Sequence, residues 1–245
     1  MSGERLRAEM LPLGEGKVLH LLPKGTTTRT AQALASSINM VRAIGVKAPF
    51  VHAVMNREDR TGLVLDMPEG VLYSEWLRSS PSHWDRMVSL FAHEAHEMHL
   101  YMAPELRNVK DLLRMPSAPS GLTDDEIERL KGLVRSLPDG ESVCNWNYIP
   151  QNVVVSYDGP MTMVWDKVRC GPYLADVART IVLLKMGGED VLADSFRKEY
   201  MKICGRPDEE LDSWVAIVAA DMMADANGPE MVLLGRTVRR YLDGL

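Results

Sequence analysis

A single β-hairpin signal inside a long helical stretch is the feature that most constrains the fold of this chain. Asp158-Gly159 separates two short apolar segments, 152–157 and 160–165, and Asp-Gly in that setting is a strong signal for a tight hairpin turn. The remaining strand signals all fall in the first 70 or so residues. They are KVLHLL (17–22), FVHAV (50–54) and TGLVLDM (61–67). This distribution predicts an α+β fold in which most strands precede most helices.

Helical periodicity dominates the sequence after Tyr73, and one helix is predicted before it. Thr123 and Glu126 have the spacing of a capping box, which predicts a helix beginning there. The predicted helices are 28–44, 84–102, 123–134, 173–186, 191–204, 209–227 and 229–242. The segment MPEG (67–70) contains the turn residues of a hinge. We therefore expect a β-rich lobe with one helix over 1–69 and a helical lobe carrying the hairpin over 70–245.

Composition excludes several classes of function. The chain has 245 residues, of which 46% are hydrophobic and 25% are charged, as in ordinary globular proteins. Its net charge of −6 argues against nucleic acid as the main partner, and no apolar run is long enough to span a membrane. Three widely spaced cysteines indicate neither a disulfide framework nor a zinc site, so a cytoplasmic location is expected. His93, His96 and His99 do not form an H-E-x-x-H motif, and we interpret them as one helix face.

Five segments together indicate a family. The segment CNWNYIPQNVVV resembles the catalytic loop of the aminoglycoside phosphotransferase and choline kinase-like family, whose pattern is H-G-D-x-x-P-x-N before an apolar strand. The other four similar segments are GPMTMVWDKVRCGPYLADVARTIVLL, MVRAIGVKAPFVHAV, TGLVLDMPEG and HEMHLYMAPEL. The resemblance covers nearly the whole chain and implies a bilobal protein kinase-like fold, with a small β-rich lobe and a larger helical lobe.

The same resemblance places an amide where the family has its catalytic aspartate. Asn147 occupies that position, Asn145 occupies the position of the preceding histidine, and Trp146 replaces the glycine between them. An amide cannot take the proton of an acceptor hydroxyl, so base assistance worth roughly 10²–10⁴-fold in rate is lost. We interpret the two asparagines as turn-holding residues and leave open whether Trp146 fills the space of a substrate.

The metal-binding positions are only partly retained. Asn152 matches the family's metal-binding asparagine, but the position of its metal carboxylate is Val164, which offers no oxygen to Mg²⁺. Asp166 lies two residues further along, on the same side if the strand continues, and can substitute only after a register shift. The expected metal residues are Asn152 and Asp166, and only if the protein is active.

The position of the nucleotide-binding lysine is His20, which together with Asn152 is the predicted cofactor-binding residue. A neutral imidazole is a weak partner for a triphosphate. Lys17 has the opposite strand parity, and Lys24 has the right parity but lies beyond the strand end. The glycine-rich loop should precede Ala8, where only Gly3 is found.

These substitutions leave the status as an enzyme open and suggest two functions. The first is a pseudokinase that binds a small molecule or a protein partner in the interlobe cleft, with Glu75, Trp76, His83 and Trp84 as guesses for its wall. The alternative is a divergent ATP-dependent small-molecule phosphotransferase that holds its metal with Asn152 and Asp166. No cofactor is certain, and ATP and Mg²⁺ follow only from the alternative. Asp176 and Arg179, retained from the family pattern, are expected to support the catalytic loop.

Overall fold

The computed structural model describes residues 9–116 and 121–244, and the chain divides into two compact units. The first consists of Met1–Trp84 with Asn147–Val168, and the second of Asp85–Trp146 with Arg169–Leu245. The chain therefore passes from one unit to the other between Trp146 and Asn147, inside the segment that resembles a catalytic loop. The predicted lobe boundary after residue 69 stays a prediction, and Gly3 lies outside the described residues.

The first unit contains seven strands and two helices within its described residues. In chain order these are β1 (Glu9–Gly14), β2 (Lys17–Leu21), α1 (Thr28–Ala43), β3 (Val51–Arg57), β4 (Arg60–Asp66), β5 (Gly70–Leu72), α2 (Tyr73–Ser79), β7 (Val153–Ser156) and β8 (Gly159–Thr162). An antiparallel sheet of order β1-β2-β4-β3 carries the first four strands, and a second sheet has the order β5-β7-β8. Strands β1 and β5 and helix α2 were not predicted as such, because each is short or lacks a clear alternation of apolar and polar residues.

Strand β2 has buried apolar residues on one face of the four-stranded sheet and a buried histidine on the other. Leu19 packs with Leu21 and Val64 in an apolar cluster on one face. His20 has the opposite parity and is directly opposite Leu63 of β4 in the register, so these two residues share the other face. Strand β2 therefore fixes His20 among apolar neighbours.

The hairpin predicted at Asp158-Gly159 is confirmed, with β7 and β8 paired from Val153 opposite Thr162 to Ser156 opposite Gly159. The prediction that the second strand continues to residue 165 is wrong. Pro150–Asn152 forms a 3₁₀ turn, so the partner strand begins only at Val153 and leaves residues 163–165 without a strand to pair with.

The second unit is largely helical. Its elements are α3 (Trp84–His99, whose first residue belongs to the first unit), α4 (Val109–Leu112), α5 (Asp124–Ser136), β6 (Ser142–Cys144), β9 (Arg169–Gly171), α6 (Tyr173–Met186), α7 (Asp190–Cys204), α8 (Asp208–Met223) and α9 (Gly228–Leu242). Residues 213–223 of α8 are all buried, so this helix is surrounded on every side, as expected for a core helix. Strands β6 and β9 pair antiparallel, and this pair was not predicted.

Two predicted helix ends are corrected by the structure. Helix α3 was expected to reach residue 102 but ends at His99, because Tyr101 accepts a backbone hydrogen bond from Val143 and Met102 bridges to Ser142. Helix α8 was expected to reach residue 227 and ends at Met223. The predicted capping box is confirmed, since Thr123 and Glu126 exchange both hydrogen bonds at the start of α5. Among the described residues, no helix combines the length and apolar character needed to cross a membrane.

Candidate functional site

His20 is almost completely buried at a position that the sequence singled out. It lies in the middle of β2, with Met10 of β1 and Leu63 of β4 opposite it, and only 1% of it is exposed. Close approach of β4 to this part of β2 depends on Gly62. A Cβ atom at Gly62 would lie 2.8 Å from the carbonyl oxygen of His20, closer than side chains tolerate. The strand pairing thus holds the imidazole in one place.

Asp166 lies beside His20. Its Oδ2 is 3.3 Å from His20 Nε2, and its side chain is 24% exposed. Strand β8 ends at Thr162, and Asp166 lies in the turn that follows it. Two hydrogen bonds fix this turn. Trp165 Nε1–H donates to the Thr162 carbonyl at 2.8 Å, and Val168 N–H donates to the Trp165 carbonyl at 3.0 Å. From the sequence, we expected Asp166 to replace the metal carboxylate only after a shift in strand register. In the structure Asp166 is not in a strand, and the turn places it beside His20.

The polar atoms of this pair are incompletely satisfied by the protein. Neither ring nitrogen of His20 forms a hydrogen bond with any described residue, and the same is true of Asp166 Oδ1, although all three atoms are buried. The contact between Nε2 and Oδ2 has the distance of an ion pair but not the angles of a hydrogen bond. Leaving one buried polar group unsatisfied costs about 1–3 kcal/mol. Three such atoms close together are typical of a position that binds a ligand or an ion.

Asn152 and Asn147 are also buried in the first unit. Asn152 Nδ2 donates to the backbone carbonyl of Asn147 at 2.8 Å, and the Asn152 carbonyl accepts from Met163 N–H at 2.8 Å. One side-chain donor of Asn152 therefore holds the loop from 147 to 152 in its turn, and its backbone joins the start of the hairpin. The assignment of Asn152 as a metal or cofactor ligand stays a prediction, as does that of Asn147 and Asn145 as site residues.

Neither Lys17 nor Lys24 replaces the lysine that the family pattern places at His20. Lys17 has the parity of the opposite sheet face, and Lys24 lies beyond β2, where its Nζ contacts Asp59 at 3.2 Å with both side chains largely exposed. Val164 is buried and purely aliphatic. Magnesium bound to a triphosphate requires several oxygen ligands and a cation on the phosphates. A single carboxylate that faces an imidazole does not match that requirement.

The second unit holds the other half of the loop by its backbone. Asp176, near the start of α6, accepts hydrogen bonds from Asn145 N–H at 3.1 Å and from Trp146 N–H at 2.6 Å. Arg179, one turn later, donates from Nε to the Trp146 carbonyl at 3.0 Å. The expectation that Asp176 and Arg179 support this loop is confirmed. Their spacing of three residues puts both on one side of the helix.

A buried chain of polar side chains extends this support. His99 Nε2 lies 3.1 Å from Asp176 Oδ2, and His99 Nδ1 lies 2.7 Å from the hydroxyl of Tyr200. A carboxylate only accepts hydrogen bonds, so the ring donates from Nε2. Burial raises the pKa of Tyr200 well above its usual value, so the hydroxyl keeps its proton and shares a hydrogen bond with His99 Nδ1. His99 had been interpreted only as part of a helix face and a family match. Tyr200 had no sequence signal at all.

Trp146 occupies a backbone conformation that normally requires glycine. Its φ is +63°, in the left-handed region, where most side chains are strained. Two guanidinium groups contact the buried indole, with Arg169 5.3 Å and Arg179 5.2 Å from the ring centroid. Burial lowers the pKa of Arg179 to about 10, so its side chain stays charged at neutral pH. Arg179 Nη1 also lies 3.6 Å from Asp221. Contact with two cations offsets the backbone strain at Trp146.

The other sequence candidates take no part in the contacts described above. Glu75 and His83 are exposed, Trp76 and Trp84 are half-buried, and their assignment as ligand contacts stays a prediction. In the described part of the chain no three His, Cys, Asp or Glu side chains are grouped as a metal site. The Cys144 thiol is fully buried, and burial raises its pKa well above the usual value, so it is unsuited to act as a nucleophile.

Comparisons with known proteins identify the fold. No protein-family model matches this sequence, and no curated protein matches it. A thermostable mutant of aminoglycoside phosphotransferase APH(4)-Ia has a TM-score of 0.66 at 12% identity, with 97% of this chain and 94% of that one covered. APH(3'')-Id from Streptomyces rimosus, solved with ADP and streptomycin, gives 0.58 at 13% identity over 86% and 88% of the two chains. A choline/ethanolamine kinase family protein from Mesorhizobium loti gives 0.56 at 13% identity over 98% and 88%.

These matches span almost the entire chain, and they agree with the family resemblance of its loop and hinge segments. At such low identity a structural likeness establishes architecture and leaves activity to be argued from the site. The expected fold class is confirmed: the chain has the α+β, protein kinase-like fold of the aminoglycoside phosphotransferases and of the choline/ethanolamine kinase family protein.

Proposed function

We propose that this protein is a pseudokinase, a binding module on the phosphotransferase fold that does not transfer phosphoryl groups. The observation that carries the proposal is the placement of His20. A buried imidazole that faces Asp166 at 3.3 Å stands where the family resemblance puts a lysine for the nucleotide phosphates. An imidazole does not present the flexible ammonium group with which a lysine holds phosphates.

Two further positions support the same conclusion. Asn147 stands at the position of the family's catalytic carboxylate, and its amide cannot accept the proton of a hydroxyl group. Val164 stands at the position of the metal carboxylate and is buried without any oxygen to offer. Loss of base, metal ligand and phosphate cation together removes the electrostatic stabilisation on which phosphoryl transfer depends.

The ligand of such a module is a small molecule or a protein partner. The Streptomyces rimosus enzyme, whose fold this chain shares, was solved with a small polar molecule, streptomycin, as well as with ADP. Three unsatisfied buried atoms on His20 and Asp166 favour a small ligand that contacts them in the first unit. We place the protein in a reducing cytoplasm, since its three cysteines are free.

A divergent phosphotransferase is the second candidate, and the carboxylate of Asp166 is the observation that favours it. This side chain is partly exposed and has one oxygen without a protein partner. Together with Asn152 it could supply two metal ligands, and phosphoryl transfer tolerates a missing base better than a missing metal.

A melting-temperature titration with Mg·ATP separates the two candidates. A ligand that binds only the folded state raises the melting temperature as its concentration rises. We expect no change up to millimolar Mg·ATP. A saturable increase would favour the divergent phosphotransferase, and loss of that increase in Asp166→Asn but not in the exposed Asp59→Asn control would assign it to Asp166.

A further inference from the structure

The imidazole of His20 and the carboxylate of Asp166 have a particular spacing. His20 Nε2 and Asp166 Oδ2 are 3.3 Å apart and yet do not have hydrogen-bond angles. Two donors bound to one zinc ion at about 2.0–2.2 Å, with a tetrahedral angle between them, lie about 3.4 Å from each other. The spacing of the pair is therefore the spacing of two ligands around one metal ion.

The chemistry of the pair selects a particular class of ion. Imidazole nitrogen is a preferred ligand of zinc and other first-row transition metals, while a carboxylate oxygen binds these ions and Mg²⁺ alike. Mg²⁺ strongly prefers oxygen ligands in octahedral geometry and gives up its water reluctantly. Replacing an ammonium with an imidazole at this position thus converts a phosphate partner into a metal ligand.

Both donors are held in place by the fold rather than by each other. His20 lies inside a paired strand, where the register fixes it opposite Met10 and Leu63. Asp166 lies in the turn closed by the Trp165 indole on the Thr162 carbonyl. Ligands on rigid elements lose little conformational entropy when a metal ion binds.

We propose that His20 and Asp166 form a two-residue binding site for Zn²⁺ or a similar divalent transition-metal ion, independent of nucleotide. His20 supplies Nε2 and Asp166 supplies its carboxylate. No third His, Cys, Asp or Glu completes the group among the residues that the structure describes, so the remaining positions are taken by water or by donor atoms of a bound small molecule. Such a site would let the module recognise a ligand that chelates the metal.

Isothermal titration of the chelator-treated full-length protein with zinc chloride tests the proposal. We expect saturable binding at one site that persists in a roughly 100-fold excess of Mg²⁺, because Mg²⁺ competes poorly for an imidazole ligand. His20→Gln and Asp166→Asn should each weaken it by roughly tenfold or more, since each removes one of two protein ligands. Two other histidines, on α3, supply the control: the double variant His93→Gln/His96→Gln should bind zinc as the wild type does.

A second measurement keeps the test valid if His20→Gln fails to fold. Zinc should shift the ring resonances of His20 in the NMR spectrum of the wild type, and in Asp166→Asn the same shift should require roughly tenfold more zinc. Absence of saturable binding up to about 1 mM zinc would overturn the proposal, as would undiminished binding by Asp166→Asn. Loss of binding in His93→Gln/His96→Gln would assign the ion to the surface of α3 and would equally overturn it. None of these results depends on whether the protein hydrolyses ATP, so this test and that of the proposed function fail separately.

Discussion

The backbone N–H of Trp146 donates a 2.6 Å hydrogen bond to Asp176 while Trp146 itself has a φ of +63°. A carboxylate on α6 thus holds a bulky residue in a conformation suited to glycine. The family pattern that this loop resembles has glycine at this position, which suits a left-handed backbone. Contacts of Arg169 and Arg179 with the indole favour tryptophan here.

At position 146, a glycine variant should therefore be more stable than an alanine variant, the reverse of the usual order. Both Trp146→Gly and Trp146→Ala remove a buried indole and should destabilise the protein by about 3–5 kcal/mol. Alanine at positive φ costs about 1–2 kcal/mol more than glycine, which outweighs the larger chain entropy that glycine gives the unfolded state. Urea unfolding should show Trp146→Gly to be the more stable variant by roughly 1 kcal/mol. Higher stability of Trp146→Ala would show that the left-handed conformation is not retained.

Asp176 should be one of the most sensitive polar positions in the second unit. Asp176→Asn removes the charge that accepts hydrogen bonds from Asn145, Trp146 and His99, and we expect a loss of about 2–4 kcal/mol in the free energy of unfolding. Asp194→Asn is a matched control, because Asp194 is exposed and its ion pair, within the described part of the chain, is with Lys185. Equal stability of the two variants would contradict the supporting role of Asp176.

The sequence predicted the parts of the fold that local rules specify. The hairpin at Asp158-Gly159 and the capping box at Thr123 depend on residues a few positions apart, and both were found where expected. The pairing of Asp176 with the loop was anticipated through the family resemblance. The contact of His99 with Tyr200 joins residues 101 positions apart and has no local signature.

Asp166 shows why the candidate site could be predicted only in part. Strand alternation put Asp166 two residues beyond Val164 on a continuing strand. The strand instead ends at Thr162, since Pro150–Asn152 forms a turn on the partner side. The end of β8 thus depends on the conformation of Pro150–Asn152, which lies before its partner strand. The position of Asp166 beside His20 follows from where β8 ends.

His96 should make stability depend on pH in the mildly acidic range. Burial lowers its pKa below 6.5, with smaller contributions from His99 and His93, while Glu97 acts in the opposite direction. The unfolded chain then binds a proton at His96 more readily than the folded chain does. The free energy of unfolding therefore has its full value above pH 6.5 and decreases as the pH drops through the pKa of the folded state.

Unfolding curves between pH 7.5 and pH 5 test this dependence. The His96→Gln variant should lose less stability over the range than the wild type. His93→Gln, which removes an exposed ring from the same helix, should follow the wild-type curve. Parallel curves for the wild type and His96→Gln would contradict the assignment.

Restoring two carboxylates should not restore an enzyme. Asn147→Asp with Val164→Asp returns the acidic residues at the two family positions, but His20 still faces Asp166 in place of a lysine. Transfer needs base, metal and phosphate cation together, so we expect no ATP turnover from this double variant. Melting temperature should be measured alongside, because a carboxylate at the buried position 164 also costs stability. Robust turnover by a folded double variant would show that the histidine is no obstacle.

The most direct test of the central claim is ADP release from Mg·ATP by the purified wild-type protein, measured against the same sample after heat denaturation. The substitutions at His20, Asn147 and Val164 predict that the two rates are equal. A rate above the denatured control that tracks the amount of folded protein, and that falls in Asp166→Asn, would contradict the assignment as a pseudokinase.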